Sequence, residues 1–213
     1  MAFVLQFSSV TCEEAAGLSF TLAAGEVRVL QVATEAGKTA AADMALGERM
    51  ADAGSVTFRG RPMDQAEPGQ IGWVPAHGGL ISNLKIWENV TLPLWYHGER
   101  LPVAVEASIA RWLDALGLDR EAWPDFMASP PARLKSSERK LAGLLRGLVQ
   151  APLLLVVDAD LFDGVDQAAS RSWAAALEAF VREGGGRAVL AVAHGAAPLP
   201  WEIIPAAGNR RDT

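Results

Sequence analysis

Short apolar runs broken by polar residues open the chain: FVLQFSSVT, then LSFTLAAGEVRVLQV, with Gly25-Glu26 punctuating two of them. Such runs predict strands. VRVLQV (27–32) is the most β-rich of them and runs directly into VATEAGKT (32–39). After Lys38 the segment TAAADMALGERM is rich in helix formers and predicts a helix ending near Gly54. VTFRG (56–60) and IGWVP (71–75) predict two further short strands.

The middle third changes period. Val105, Ile109, Trp112, Leu113 and Leu116 fall on one helical stripe. Pro124, Pro130 and Pro131 are expected to break the chain before a helix from about Ser137 to Val149, whose apolar face carries Leu141, Leu144, Leu145, Leu148 and Val149. Residues from about 78 to 147 are therefore expected to form a mostly helical insertion within one domain spanning 1–213.

LLLVVD (153–158) is then a continuous apolar run capped by aspartate, the pattern of a strand buried on both faces of a parallel sheet. SWAAALEAFVREGGG (172–186) predicts a helix stopped by glycines, and RAVLAVAH (187–194) a second buried strand ending in histidine. Alternating strands and helices predict an α/β fold with a parallel sheet. Sites in such sheets gather at the carboxyl ends of strands, which is where the loop at 32–39, Asp158 and His194 are all expected to lie.

Composition narrows the class. The 213 residues are 50% hydrophobic and 21% charged, which is globular rather than disordered. A formal net charge of −6 argues against a nucleic-acid partner. The single cysteine, Cys12, sits beside Glu13 and Glu14; it supports no disulfide framework and fits a reducing compartment. MAFVLQFSSV lacks the basic start of a signal peptide, and no apolar run approaches the roughly 20 residues of a membrane span. The expectation is a soluble cytoplasmic chain that reaches a membrane only through a partner.

Gly37-Lys38-Thr39 carries the candidate chemistry. In a phosphate-binding loop, backbone N–H groups and a helix N-terminus cradle the phosphates, the lysine reaches the outer phosphates, and the Ser or Thr hydroxyl binds Mg²⁺. Here GKT follows a strand and precedes a helix, as that chemistry requires, although alone it is also an ordinary polar helix start.

The order of the surrounding segments adds a resemblance. LSFTLAAGEVRVLQVATEAGKT, GSVTFRGRPM, IGWVPAHGGLISNLKIWENVTLPL, RLKSSERKLAGLLRGLVQAPLLLVVDAD and RAVLAVAH resemble, in order, successive segments of ATP-binding-cassette (ABC) ATPases. They match the approach to the phosphate loop, the strand after it, the glutamine loop, the signature with the Walker B strand, and the switch-histidine strand. The resemblance implies a P-loop (RecA-like) core with an N-terminal antiparallel β subdomain and an inserted helical subdomain. It implies ATP and Mg²⁺ as cofactors, with Gly37, Lys38 and Thr39 at the phosphates, Thr39 and Asp158 at the metal, and His194 as the catalytic switch histidine. Ser136 and Ser137, in the signature position, would face a partner's nucleotide and are also able to cap a helix.

The departures from the family pattern are numerous. Val32 and Glu35 stand where the loop's glycines belong; a β-branched residue at a position needing φ > 0 would be strained, and a carboxylate there would repel phosphate. Ala76 replaces the glutamine, LKSSE (134–138) replaces the signature, and Ala159 replaces the catalytic glutamate, a general base typically worth about 10² to 10⁴ in rate. Asp160 shares a face with Asp158 but is expected to lie further along the exit loop. Gly164-Val165-Asp166 retains the usual ending of the loop after Walker B.

LKIWENVTLPLWYHGE (84–99) resembles the region that receives a permease, with Trp87, Trp95 and Tyr96 as interface anchors or as core. The same phrase resembles the ATPases of Mce-linked lipid or solvent-tolerance transporters. The resemblance thus implies a transporter's ATP-binding subunit, a homodimer or heterodimer on a transmembrane permease, with weak ATP binding and impaired hydrolysis. The alternative is a nucleotide-independent pseudo-ATPase acting as an adapter.

Overall fold

The computed structural model describes residues 3–96, 102–195 and 199–206. Two sheets organise it. β1 (Phe3–Cys12) and β2 (Ala15–Ala23) are antiparallel and continue through β4 (Ala53–Phe58) to the short β5 (Arg61–Pro62), in the order β2-β1-β4-β5. The second sheet is parallel. Its order is β6-β7-β8-β3-β9, built from β3 (Val27–Val32), β6 (Ile71–Val74), β7 (Leu154–Asp158), β8 (Ala188–His194) and β9 (Glu202–Pro205).

The period-2 alternation of these strands divides the interior into two cores. Val29, Leu155, Val157, Val189 and Ala191 face one core, while Leu30, Val32, Leu154, Val156, Leu190 and Val192 face the other. Because both faces are covered, β7 is apolar throughout until Asp158 emerges at its end. The first core is closed by helices, and the second by α1 (Glu35–Leu46) together with the antiparallel sheet.

The helices of the first core are α2 (Ile86–Tyr96), α3 (Pro102–Ala115), α4 (Trp123–Ala128), α5 (Ser136–Gln150) and α6 (Gln167–Glu183). The stripe read from sequence on α3 is buried, and Trp112 and Phe180 meet with ring centroids 6.2 Å apart. Asp166 caps α6, accepting from the N–H groups of Ala168 and Ala169. The segment before α2 is organised by the buried Asn89: its Oδ1 accepts from the Ile81 N–H, and its amide donates to the carbonyls of Ile81, Leu84 and Lys85.

Gly78 and Gly143 let the chain after β6 cross α5 at backbone contact. A Cβ on Gly143 would run into the Cα and carbonyl of Gly78, and one on Gly78 into the Arg139 carbonyl. Arg146 secures the crossing by donating to the Gly78 and Gly79 carbonyls.

Several expectations are corrected. The first helix begins at Glu35, not after Lys38, because Thr34 caps it, and it stops at Leu46, where Gly47 takes the left-handed conformation at φ 78°. Gly54 instead lies within β4. Val32 is not strained: it is the last residue of β3, paired with His194 and buried in the core, with φ in the ordinary range. Pro124 does not break the chain but sits in the first turn of α4, where a missing N–H costs nothing. β9 has no counterpart in the sequence reading. Residues 97–99, the end of the phrase at 84–99, lie outside the described residues.

Candidate functional site

The parallel pairing fixes the site before any side chain is considered. Val32 pairs with His194 across β3 and β8, and Asp158 pairs with Val192 across β7 and β8. Three neighbouring strands therefore end together, and α1 starts just beyond β3.

Lys38 lies on the first turn of α1 with its side chain almost fully buried. Its ammonium is enclosed by three carboxylates: Asp160 Oδ2 at 2.6 Å, Glu35 Oε1 at 2.9 Å and Asp158 Oδ1 at 3.0 Å. Burial opposes the charge, but the hydrogen bonds that Lys38 donates to Asp160, Glu35 and Asp158 outweigh it and raise the Lys38 pKa above its ordinary value. The four groups carry a formal charge of −2. His194 joins the cluster through Glu35, with Nδ1 2.7 Å from Oε2. Glu35, Asp160 and His194 each offer a ligand atom within 4.8 Å of the others.

Asp160 arrives by a local route that the sequence reading discounted. Asp158 caps a 3-10 turn over Ala159–Phe162, accepting the Asp160 N–H at 3.0 Å. That turn curls Asp160 back onto Lys38 rather than out along the loop. The Asp-x-Asp spacing, read as a cap followed by one tight turn, is the signal that would have found it. Ala159 between them is buried in the core.

The helix start is also occupied. The Gly37 N–H donates to Thr34 Oγ1 at 3.0 Å, and the Lys38 N–H to the Thr34 carbonyl at 2.9 Å. Gly37 itself has a packing reason: a Cβ there would lie 2.9 Å from the Glu14 carbonyl in the turn between β1 and β2. Thr39 is exposed on α1. Its hydroxyl and the Asp158 carboxylate are the hard oxygen donors Mg²⁺ prefers, but Asp158 Oδ1 is already shared between Lys38 and the Asp160 N–H. As the side chains stand, Lys38, the Gly37 N–H and Asp158 are engaged by internal partners that a triphosphate would have to displace.

Ser136 and Ser137 do not cap α5. Lys135 takes the cap position and its N–H donates to Glu138 Oε2 at 2.7 Å, leaving both serines inside the first helical turn. What ties α5 to the cluster is Lys140, which the sequence reading passed over. Its buried ammonium donates to the carbonyls of Asp160 at 2.8 Å and Asp163 at 2.7 Å. Beside this tie lies an open cleft of about 440 Å³, with Asp160, Asp163, Gln167 and His194 on its walls.

Comparison with known proteins bears on what this arrangement descends from. Residues 15–159, about two thirds of the chain, match the ABC transporter family model. The chain belongs to the ABC transporter family. The sulfate/thiosulfate import ATP-binding protein CysA of Bordetella pertussis is 32% identical over 145 residues, covering 66% of this chain and 40% of that protein. The CysA of Bordetella bronchiseptica matches to the same extent. The ABC chain thus spans about two fifths of the length of these curated relatives.

Solved ABC structures share its fold. The dimeric ATP-binding cassette MJ0796, in a post-hydrolysis state bound to ADP and Pi, superposes with a TM-score of 0.76 at 18% identity, covering 95% of this chain and 94% of that one. The cbiO1 protein of Clostridium perfringens, part of the ABC transporter complex cbiONQ, gives 0.71 at 16% identity, covering 92% and 80%. The fold is the α/β P-loop ABC core, here with its antiparallel β sheet and helical layer.

Proposed function

We propose that this chain serves as the ATP-binding subunit of a membrane transporter, with weak Mg-ATP binding and impaired hydrolysis. The observation that carries this reading is the clamp on Lys38: the one cation of the phosphate loop is held by Glu35, Asp158 and Asp160. Gly37, Lys38 and Thr39 are the residues that would receive the phosphates, Thr39 and Asp158 the metal, and His194 the terminal phosphate. Nucleotide would have to break three ion pairs at Lys38. With Ala159 in place of a carboxylate base, bound ATP would turn over slowly. Residues 1–213 act as one nucleotide-binding domain, with 78–147 as its helical subdomain.

Docking on a permease would use the region around α2, whose outward face presents Leu92, Trp95 and Tyr96 at helical spacing. Among the described residues no helix is long and apolar enough to cross a membrane, so a peripheral position at the inner face of the cell membrane would come through that partner. Pairing with a second ATPase chain, identical or not, belongs to the same reading. Resemblance of the 84–99 segment favours a lipid or solvent-tolerance transporter, and the permease that co-purifies with the chain decides this.

Calorimetric titration with Mg-ATP tests the nucleotide claim. Saturable binding lost in Lys38→Ala, with little turnover, supports it; turnover of ordinary ABC magnitude abolished by Lys38→Ala overturns it. The clamp also favours a second reading, a nucleotide-independent adapter, which absence of binding at millimolar nucleotide would support.

A further inference from the structure

Among the described residues, Glu35 is the one ion-paired to both Lys38 and His194: one carboxylate oxygen lies 2.9 Å from Lys38 Nζ and the other 2.7 Å from His194 Nδ1. It is also the first residue of α1, so its carboxylate stands at the helix N-terminus. That is the place where unpaired N–H groups and the helix dipole attract anions, and where a phosphate loop holds its ligand. Asp158 and Asp160 reach the same ammonium from elsewhere, from the end of β7 and the turn that follows it.

We propose that Glu35 is a resident anion standing in for the terminal phosphate of a nucleotide, so that this site takes a nucleoside diphosphate in preference to a triphosphate. The lysine of a GKT loop reaches both the β- and the γ-phosphate, so discrimination rests on the other partner of Glu35, His194, which the proposed function assigns to the terminal phosphate. An incoming terminal phosphate therefore competes with Glu35 for both Lys38 and His194, and meets a second negative charge if it fails to displace it. A diphosphate ends one phosphate earlier and competes with Glu35 for Lys38 alone. Asp158 and Asp160 weaken both ligands; Glu35 is the residue that discriminates between them. The proposal rests on the reading of this cassette as a nucleotide site.

The test is calorimetric titration of the full chain and of Glu35→Ala and Glu35→Asp with Mg-ADP and Mg-ATP. Glu35 is more than half exposed, so both variants are expected to melt close to the parent chain. The parent binds ADP more tightly than ATP. In Glu35→Ala the affinity for ATP rises roughly tenfold, the loss of one charge-assisted contact, while that for ADP rises much less. Glu35→Asp keeps the charge but is one methylene too short to span both partners, and it shifts the ATP-to-ADP ratio in the same direction. An equal gain for both nucleotides in Glu35→Ala, or a Glu35→Asp variant identical to the parent, overturns the proposal while leaving the cassette a nucleotide site. Failure of every variant to bind either nucleotide at millimolar concentration overturns both.

Discussion

Lys38 Nζ and Asp160 Oδ2 lie 2.6 Å apart although 122 positions separate the two residues in the chain. The contact joins the start of α1 to the turn after β7, and with Glu35 and Asp158 it makes the lysine of the Gly-Lys-Thr the centre of an internal ion cluster. The cluster is therefore part of the folded structure itself.

Removing the cation tests that role. Lys38→Met leaves three carboxylates facing one another, two of them at least partly buried. A drop in unfolding free energy of about 2 kcal/mol is expected at neutral pH, below the cost of a fully buried pair because solvent reaches Glu35 and Asp160. Urea denaturation of the variant and parent measures it.

Lys140 stabilises by other means, since its partners are backbone carbonyls rather than carboxylates. Lys140→Met preserves the length of the side chain but leaves the Asp160 and Asp163 carbonyls without this donor, at a cost of about 1–3 kcal/mol. Amide exchange should rise in residues 159–163 more than in β7, which has its own ladder.

Gly143→Ala inserts a methyl where the Gly78 backbone already lies. Overpacking of this kind costs about 1–3 kcal/mol. Because the clash lies between α5 and the segment after β6, thermal melts should fall while the isolated change Gly185→Ala, where a Cβ meets open space, stays near the parent.

Trp112 and Trp95 should behave oppositely. Trp112 is 3% exposed in the first core, and Trp112→Ala is expected to cost about 3–5 kcal/mol. Trp95 is 60% exposed, so Trp95→Ala should alter stability by less than about 0.5 kcal/mol. Loss of permease co-purification in Trp95→Ala, with an unchanged melt, is the outcome expected from the docking proposal.

The Arg49–Glu14 pair gives a pH signature. The hydrogen bond from Arg49, 2.7 Å from the carboxylate, holds the Glu14 pKa below its ordinary value. A depressed folded-state pKa contributes stability that is present above the unfolded pKa of about 4.3 and is lost as pH falls through the folded value. The difference in melting temperature between the parent and Glu14→Gln should therefore be present at pH 6 and shrink as pH falls below about 4.

The fold was largely legible because its signals are local. The β7 run, the α3 stripe and the glycine and aspartate punctuation each act within a few residues, and burial on two faces requires such runs wherever a parallel strand lies. His194 as a strand end was readable for the same reason. The errors arose where one residue has two physical uses. Val32 in a glycine position looked strained, yet it simply extends β3; Pro124 looked like a breaker, yet it starts α4.

Sequence by itself determined which residues are available at the strand ends: a Gly-Lys-Thr, two aspartates and a histidine, with an alanine where a base would stand. Only the tertiary structure decided what Lys38 holds. Hydrophobic period specifies a strand's face, but the partner of a charge depends on ångström distances set by three strands and two turns from distant parts of the chain, and electrostatic attraction is decided at that range. VATEAGKT supplies both the lysine and, at Glu35, one of the anions that occupies it.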